Sequence, residues 1–166
     1  GVLGISIGNV TQDQSNEIVT GTNALDGALR MLFGHNGSLL CGASLFGSND
    51  RIASTSVGDL TSDTGNEIAV AVSDGRVYIL EWKDTCTSFG IPPAWSFDTR
   101  ATAATSVVIA DINGGSNEVV VGADNNNVSA LNNTGVSLWN FTVAGSVTSI
   151  AVGNVTSNAG NETIVG

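Results

Sequence analysis

Basic residues are scarce in this 166-residue chain, with five Lys plus Arg against fifteen Asp plus Glu and a formal net charge of −10. No basic stripe is available to neutralise phosphates, which excludes nucleic acid and anionic membrane surfaces as partners. A single His and two Cys without a Cys-x-x-Cys pair leave no zinc site. No apolar run approaches the ~18 residues needed to cross a bilayer, so no membrane insertion is expected. There is no charged-then-apolar leader either, so any signal peptide is expected to have been removed, and the opening at Gly1 fits a trimmed or excerpted product. Charged residues reach only 12% while hydrophobic ones reach 42%, with 21 glycines. That balance suits packed strands and tight turns, and the length suits one all-β domain with its own core.

What is present repeats. "SIGNVTQDQSNEIVTG" from Ser6, "SVGDLTSDTGNEIAVA" from Ser56, "VIADINGGSNEVVVG" from Val108 and "AVGNVTSNAGNETIVG" from Ala151 superpose, with Gly8, Gly58, Ala110 and Gly153 spaced by 50, 52 and 43 residues. Units of about 40–50 residues made of short strands have the size of a propeller blade. Before each loop the apolar residues alternate, as in Leu3, Ile5, Ile7, the period of a strand with one favoured face. After each Asn-Glu comes a continuous small or β-branched run, which predicts burial on both faces between neighbouring sheets. Asp26-Gly27, Asp74-Gly75 and Asp124-Asn125-Asn126 then predict hairpin turns, the two Asp-Gly pairs as two-residue connections. A third strand follows, then Asn36-Gly37 or Asn133-Thr134-Gly135, and a fourth strand carrying Trp95 and Phe97 or Trp139 and Phe141. Each Trp–Phe pair shares a face and is expected to pack between blades.

"GDLTSDTGNEIAVAVSDGRVYIL" and "NEVVVGADNNNVSALNNTGVSLWNF" resemble FG-GAP/VCBS-type β-propeller repeats, and the second also resembles a quinoprotein-type blade ending in Gly-x-x-Leu-Trp. The resemblance covers almost the whole chain. It implies four-stranded antiparallel blades, about three and a half of them, in repeat units of about 1–50, 51–103, 104–145 and a partial 146–166. It says little about activity, because such propellers serve as receptors, lectins, lyases and scaffolds.

In that family the loop after the first strand often wraps calcium with oxygens at alternate positions. The resemblance therefore implies a calcium site in the second unit, from Asp59, Thr61, Asp63, the Gly65 carbonyl and Glu67. The other loops carry fewer carboxylates: Asn9, Thr11, Asp13 and Glu17 in the first, Asp111, Asn113 and Glu118 in a third that is one residue shorter, and Asn154, Thr156, Asn158 and Glu162 in the fourth. The alternative is purely structural, with Asp, Asn and Thr forming Asx or ST turns and each Glu accepting the backbone N–H groups that close its loop.

Seven Asn-x-Ser/Thr sequons, at Asn9, Asn36, Asn127, Asn132, Asn140, Asn154 and Asn161, predict N-linked glycans on a secreted protein. Asn36 and Asn132 fall in predicted turns and suit sugar best, whereas Asn140 falls within a strand. Asn9 and Asn154 open their loops and cannot be both glycan anchors and metal ligands. Cys41 and Cys86 stand 45 residues apart, close to one repeat, so a disulfide between adjacent blades and an oxidising exterior are expected, with two buried thiols as the alternative. Catalysis is not expected. His35 precedes Asn-Gly in a turn, no nucleophile elbow or phosphate-cradling loop appears, and five basic residues are too few for a quinone site.

Three complete units and half of a fourth leave sheet flanks and edges bare, so either the chain is an excerpt of a longer protein or copies assemble with each covering the next. The sequence thus points to an extracellular or cell-surface structural or adhesive module, with filament assembly as one form. A carbohydrate-binding lectin propeller, using Trp82, Trp95 or Trp139 as stacking faces, is the alternative.

Overall fold

The computed structural model describes residues 1–24, 26–47, 49–61, 63–83, 93–156 and 160–166. The described residues form no helix, and so none long and apolar enough to cross a membrane. Three four-stranded antiparallel sheets follow one another along the chain. The first contains β1 (Val2–Gly8), β2 (Glu17–Thr22), β3 (Ala28–Phe33) and β4 (Leu39–Ser44). The second contains β5 (Ile52–Gly58), β6 (Glu67–Val72), β7 (Arg76–Leu80) and β8 (Trp95–Asp98). The third contains β9 (Ala104–Ala110), β10 (Glu118–Ala123), β11 (Asn127–Leu131) and β12 (Ser137–Thr142), and a fourth, two-stranded sheet pairs β13 (Ile150–Gly153) with β14 (Glu162–Val165). Each sheet is a meander in chain order, and successive first strands lie side by side, β1 on β5, β5 on β9 and β9 on β13. The chain is therefore a β-propeller of about three and a half blades.

The period-two pattern sorts the core into three layers between the sheets. In β6, Ile68, Val70 and Val72 pack toward the first sheet with Leu29, Met31 and Cys41, while Ala69 and Ala71 pack toward the third with Val107 and Val119. In β10, Val119 and Val121 belong to that second layer and Val120 to the third, with Val128 and Val147. β6 and β10 are buried throughout, as their unbroken apolar runs predict. β2 alternates between buried and half-buried residues, because only one of its faces meets a neighbouring sheet.

Close approach of the first three sheets depends on the glycine that ends β1 and the glycine that ends β5. A Cβ on Gly58 would lie 2.6 Å from Cγ2 of Ile109 on the next sheet, so glycine lets the two backbones meet. Hydroxyls bind that seam and the next: Ser54 Oγ accepts from Val107 N at 3.3 Å and Ser56 Oγ from Ile109 N at 3.0 Å, and between the third and fourth sheets Ser106 Oγ accepts from Ile150 N at 3.1 Å.

The hairpin turns differ from the two-residue expectation. Three residues separate β6 from β7, and five separate β2 from β3. Gly75 donates to the Val72 carbonyl and alone adopts positive φ (+84°), so a turn of ordinary hand is followed by one left-handed residue. Asn126 takes that place in the third sheet at φ +68°. The preceding Asp or Asn caps the turn instead: Asp26, Asp74 and Asn125 accept from the N–H two residues on.

Candidate functional site

The four repeated loops gather at one end of the sheets, and the glutamate that ends each of them turns inward, while Asp13, Asp59 and Asp63 are exposed. Glu17, Glu67 and Glu118 are buried. Glu17 accepts from Val10 N at 2.9 Å and Thr11 N at 3.1 Å, Glu67 from Leu60 N at 2.6 Å, and Glu118 from Ile112 N at 3.1 Å. Half-buried Glu162 accepts from Val155 N at 2.9 Å and Thr156 N at 3.3 Å. A polar side chain holds the other oxygen in each loop, from Ser15, Thr61, Asn113 or Thr156. The carboxylate therefore closes its own loop from inside, satisfying N–H groups that water cannot reach.

The Asn before Glu67, Glu118 and Glu162 has a separate task that sequence reasoning missed. Asn117 Nδ2 donates to the Asp59 carbonyl of the preceding loop at 2.7 Å, and Asn161 Nδ2 donates to the Asp111 carbonyl at 2.8 Å. In the second unit the backbone N–H of Asn66 donates to the Asn9 carbonyl at 3.0 Å. Glu closes a loop, and Asn bolts that loop to the previous blade. The recurrence of the dipeptide was visible, but its backbone partner 50 to 58 residues upstream was not.

In the second loop the oxygens expected to ligate calcium are turned to other partners. Burial pushes the Glu67 carboxyl above its ordinary range, Leu60 N–H and the Thr61 hydroxyl oppose this, and the neighbouring charges of Asp63 and Asp59 add to the rise. Both Glu67 oxygens already accept, and Asp63 accepts from the Gly65 N–H. Among the described residues no group of three or more His, Cys, Asp or Glu is arranged to hold a metal ion. The second loop as folded does not fit a calcium cage. In the shorter third loop Asp111 caps an Asx turn, and the N–H groups of Gly114 and Asn113 hold its carboxyl below the usual range.

The sequons fall in unlike settings. Asn36 is exposed in its turn and accepts from Ser38 N and Oγ, while half-buried Asn132 accepts from Thr134 and Val136. Asn127 accepts from Thr142, and Asn140 is held at both ends of its amide, by Ser129 and Ser137. Asn9 is half-buried and caps its own loop through Gln12 N, Asn154 is exposed, and Asn161 uses its amide nitrogen as the bolt described above. Cys41 is buried in the first core layer, toward which Trp82 also packs. Cys86 and Asn158 lie outside the described residues, so the disulfide does too.

Two clefts open between blades. Between the second and third sheets, one of about 370 Å³ is lined by Phe97, Asp98, Arg100, Asn127, Ser137 and Asn140 among others. Between β12 and β14, another of about 630 Å³ is lined by Val128, Trp139, Phe141, Val143, Thr163 and Val165. Trp95 and Phe97 pack on the second core layer as expected, but Trp139 is 38% and Phe141 62% exposed.

No protein-family model matches the chain, and no curated protein matches its sequence. Solved structures do resemble it. The BBS1N domain in complex with ARL6DN aligns with TM-score 0.65 at 21% identity over 99% of this chain and 48% of its own. Saccharomyces cerevisiae Sqt1 aligns with TM-score 0.70 at 17% identity over 96% and 42%, and BamB from Moraxella catarrhalis with 0.57 at 19% over 86% and 37%. The chain spans less than half the length of each. At such identities the likeness shows the propeller fold alone.

Proposed function

We propose that the chain is a non-catalytic segment of an extracellular or cell-surface glycoprotein, a propeller of the FG-GAP/VCBS type that works as a structural or adhesive module. The observation that carries this reading is the use of the repeated polar residues. Each repeated Glu is turned into its own loop, and the Asn residues before Glu67, Glu118 and Glu162 tie adjacent loops together. Little chemistry remains for turnover, while broad apolar flanks remain for contact. Glycans on Asn36 and Asn132 fit the turns that carry them. Partners would be further copies or further blades of a longer polypeptide, or a cell-surface protein. Intact-mass measurement of material secreted from a glycosylating host tests the compartment: added hexose mass and oxidised thiols are expected, and an unmodified, reduced chain would remove the extracellular reading.

A lectin reading has one observation in its favour, the cleft lined by Phe97, Asp98, Arg100, Asn127 and Asn140. Glycan-array binding that is lost in Phe97→Ala or Asn127→Ala would favour it over the structural module. Assembly detected by light scattering with no sugar bound would favour the module.

A further inference from the structure

We propose that the cleft between the second and third sheets binds a sugar acid, a pyranose ring whose carboxylate pairs with the Arg100 guanidinium. The inference rests on the lectin reading and adds the charge of the ligand. Both walls of the cleft belong to complete four-stranded sheets. Two hydrogen bonds tie those sheets together, one at each end of β8: Trp95 Nε1 donates to the Asn133 carbonyl at 2.9 Å, and Asn125 Nδ2 donates to the Thr99 carbonyl at 3.1 Å. The cleft beside these ties has a volume of about 370 Å³. That is near the lower end, about 300 Å³, of the range for ligand pockets, and it suits a single ring better than a long chain.

The polar groups of the two walls are unequally satisfied. On the third sheet, Ser129 Oγ donates to Asn140 Oδ1 at 2.6 Å, Asn140 Nδ2 to Ser137 Oγ at 3.1 Å and Thr142 Oγ1 to Asn127 Oδ1 at 2.9 Å. Both amide oxygens and the Ser137 oxygen therefore already accept. What remains without a partner among the described residues donates: the side-chain NH2 of Asn127, one N–H of Asn140 and the Ser137 hydroxyl proton. On the second sheet, Asp98 is the one carboxylate that lines the cleft, and it is engaged, accepting from Arg100 N at 2.7 Å and lying 3.9 Å from Arg76. The Arg100 guanidinium has neither an ion pair nor a hydrogen bond among the described residues. Arg100 also holds left-handed backbone at φ +58°, a conformation strained for any residue with a side chain and one that gathers at functional sites. A surplus of donors beside an unpaired cation calls for an anionic acceptor, and a guanidinium holds a carboxylate by two parallel bonds. Phe97 lines the same cleft and offers an apolar surface to the C–H face of a sugar. An acidic peptide side chain would bring the carboxylate without the ring hydroxyls that the amides and Ser137 can hold. Asn127 and Asn140 are also sequon positions, so the site requires both to keep bare amides, whereas Asn36 and Asn132 stay available for glycans.

The test titrates methyl glucuronoside and its neutral counterpart, methyl glucoside, into the ¹⁵N-labelled chain. Saturable movement of the Asn127 and Asn140 side-chain amide signals and of the Arg100 Nε–H signal is expected, with the uronate bound about tenfold more tightly than the glucoside. Arg100→Gln should bring the uronate down to the glucoside's affinity and keep the wild-type thermal midpoint, since that guanidinium has no partner to lose. Phe97→Leu should weaken both sugars alike. The proposal is overturned if the uronate does not saturate, if Arg100→Gln binds it as tightly as wild type, if acetate moves the same signals at the same concentrations, if an Asp-rich peptide binds more tightly, or if peptide mapping of the secreted chain finds glycan on Asn127 or Asn140. Equal binding of the two sugars removes the acid and keeps the lectin reading. Self-association by light scattering with neither sugar bound removes both and leaves the structural module.

Discussion

At the scale of single residues, the buried glutamates govern stability. Removing the Glu67 side chain strands the buried N–H of Leu60, and leaving such a donor unsatisfied costs about 1–3 kcal/mol. Urea denaturation of Glu67→Ala should show that loss, and Glu162→Ala, whose loop is exposed, a smaller one. The two also respond oppositely to pH. Burial first of all raises the Glu67 value in the folded state, so its contribution is fully present below the unfolded glutamate value of 4.5 and is lost as pH rises through the raised folded value. The Thr156 hydroxyl first of all lowers the Glu162 value, so its contribution is present above 4.5 and is lost as pH falls through the lowered one. Thermal scans from pH 3 to 7 should therefore show Glu67→Gln gaining on wild type as pH rises and Glu162→Gln losing ground. Parallel trends would contradict the assigned environments.

At the scale of elements, each seam between sheets depends on a missing side chain. Gly58→Val would drive methyl groups into Ile109, an overpacking that costs about 1–3 kcal/mol, whereas Gly153→Val should change little because nothing lies within 4 Å of a Cβ there. Midpoints of thermal unfolding for the two variants check this. Since the second loop closes on its own N–H groups, a chelator should leave the wild-type midpoint unchanged; a drop would mean that a cation bound only to the folded state raises it. Strand positions and two-sided burial were legible in the sequence because period and β-branching are local. Turn lengths were less so, since Asp74-Gly75 reads as a complete turn when it is the end of one. The seam hydroxyls of Ser54 and Ser106 were not legible, because their partners become neighbours only after the sheets stack. Trp95 and Trp139 read alike in sequence for the same reason, and only stacking distinguishes them.

At the scale of the whole molecule, both ends of the stack present apolar flanks. Ile5 and Ile7 on β1 are 63% and 61% exposed, while their counterparts on β9, Val107 and Ile109, are buried and half-buried. A charge of −10 opposes contact between copies at pH 7, and that repulsion fades near the isoelectric point of about 4.1. Light scattering should therefore report association as pH falls toward that point, reduced in Ile5→Ser/Ile7→Ser with little loss of stability. Equal association in the double variant would move the contact elsewhere.

The seams are also directional. The carbonyl that Asn117 needs belongs to a loop made 58 residues earlier, and the one that Asn161 needs lies 50 residues back. Each seam therefore closes only once the following loop has also been made, and a blade's loop stays unbolted on that side until the next blade joins it.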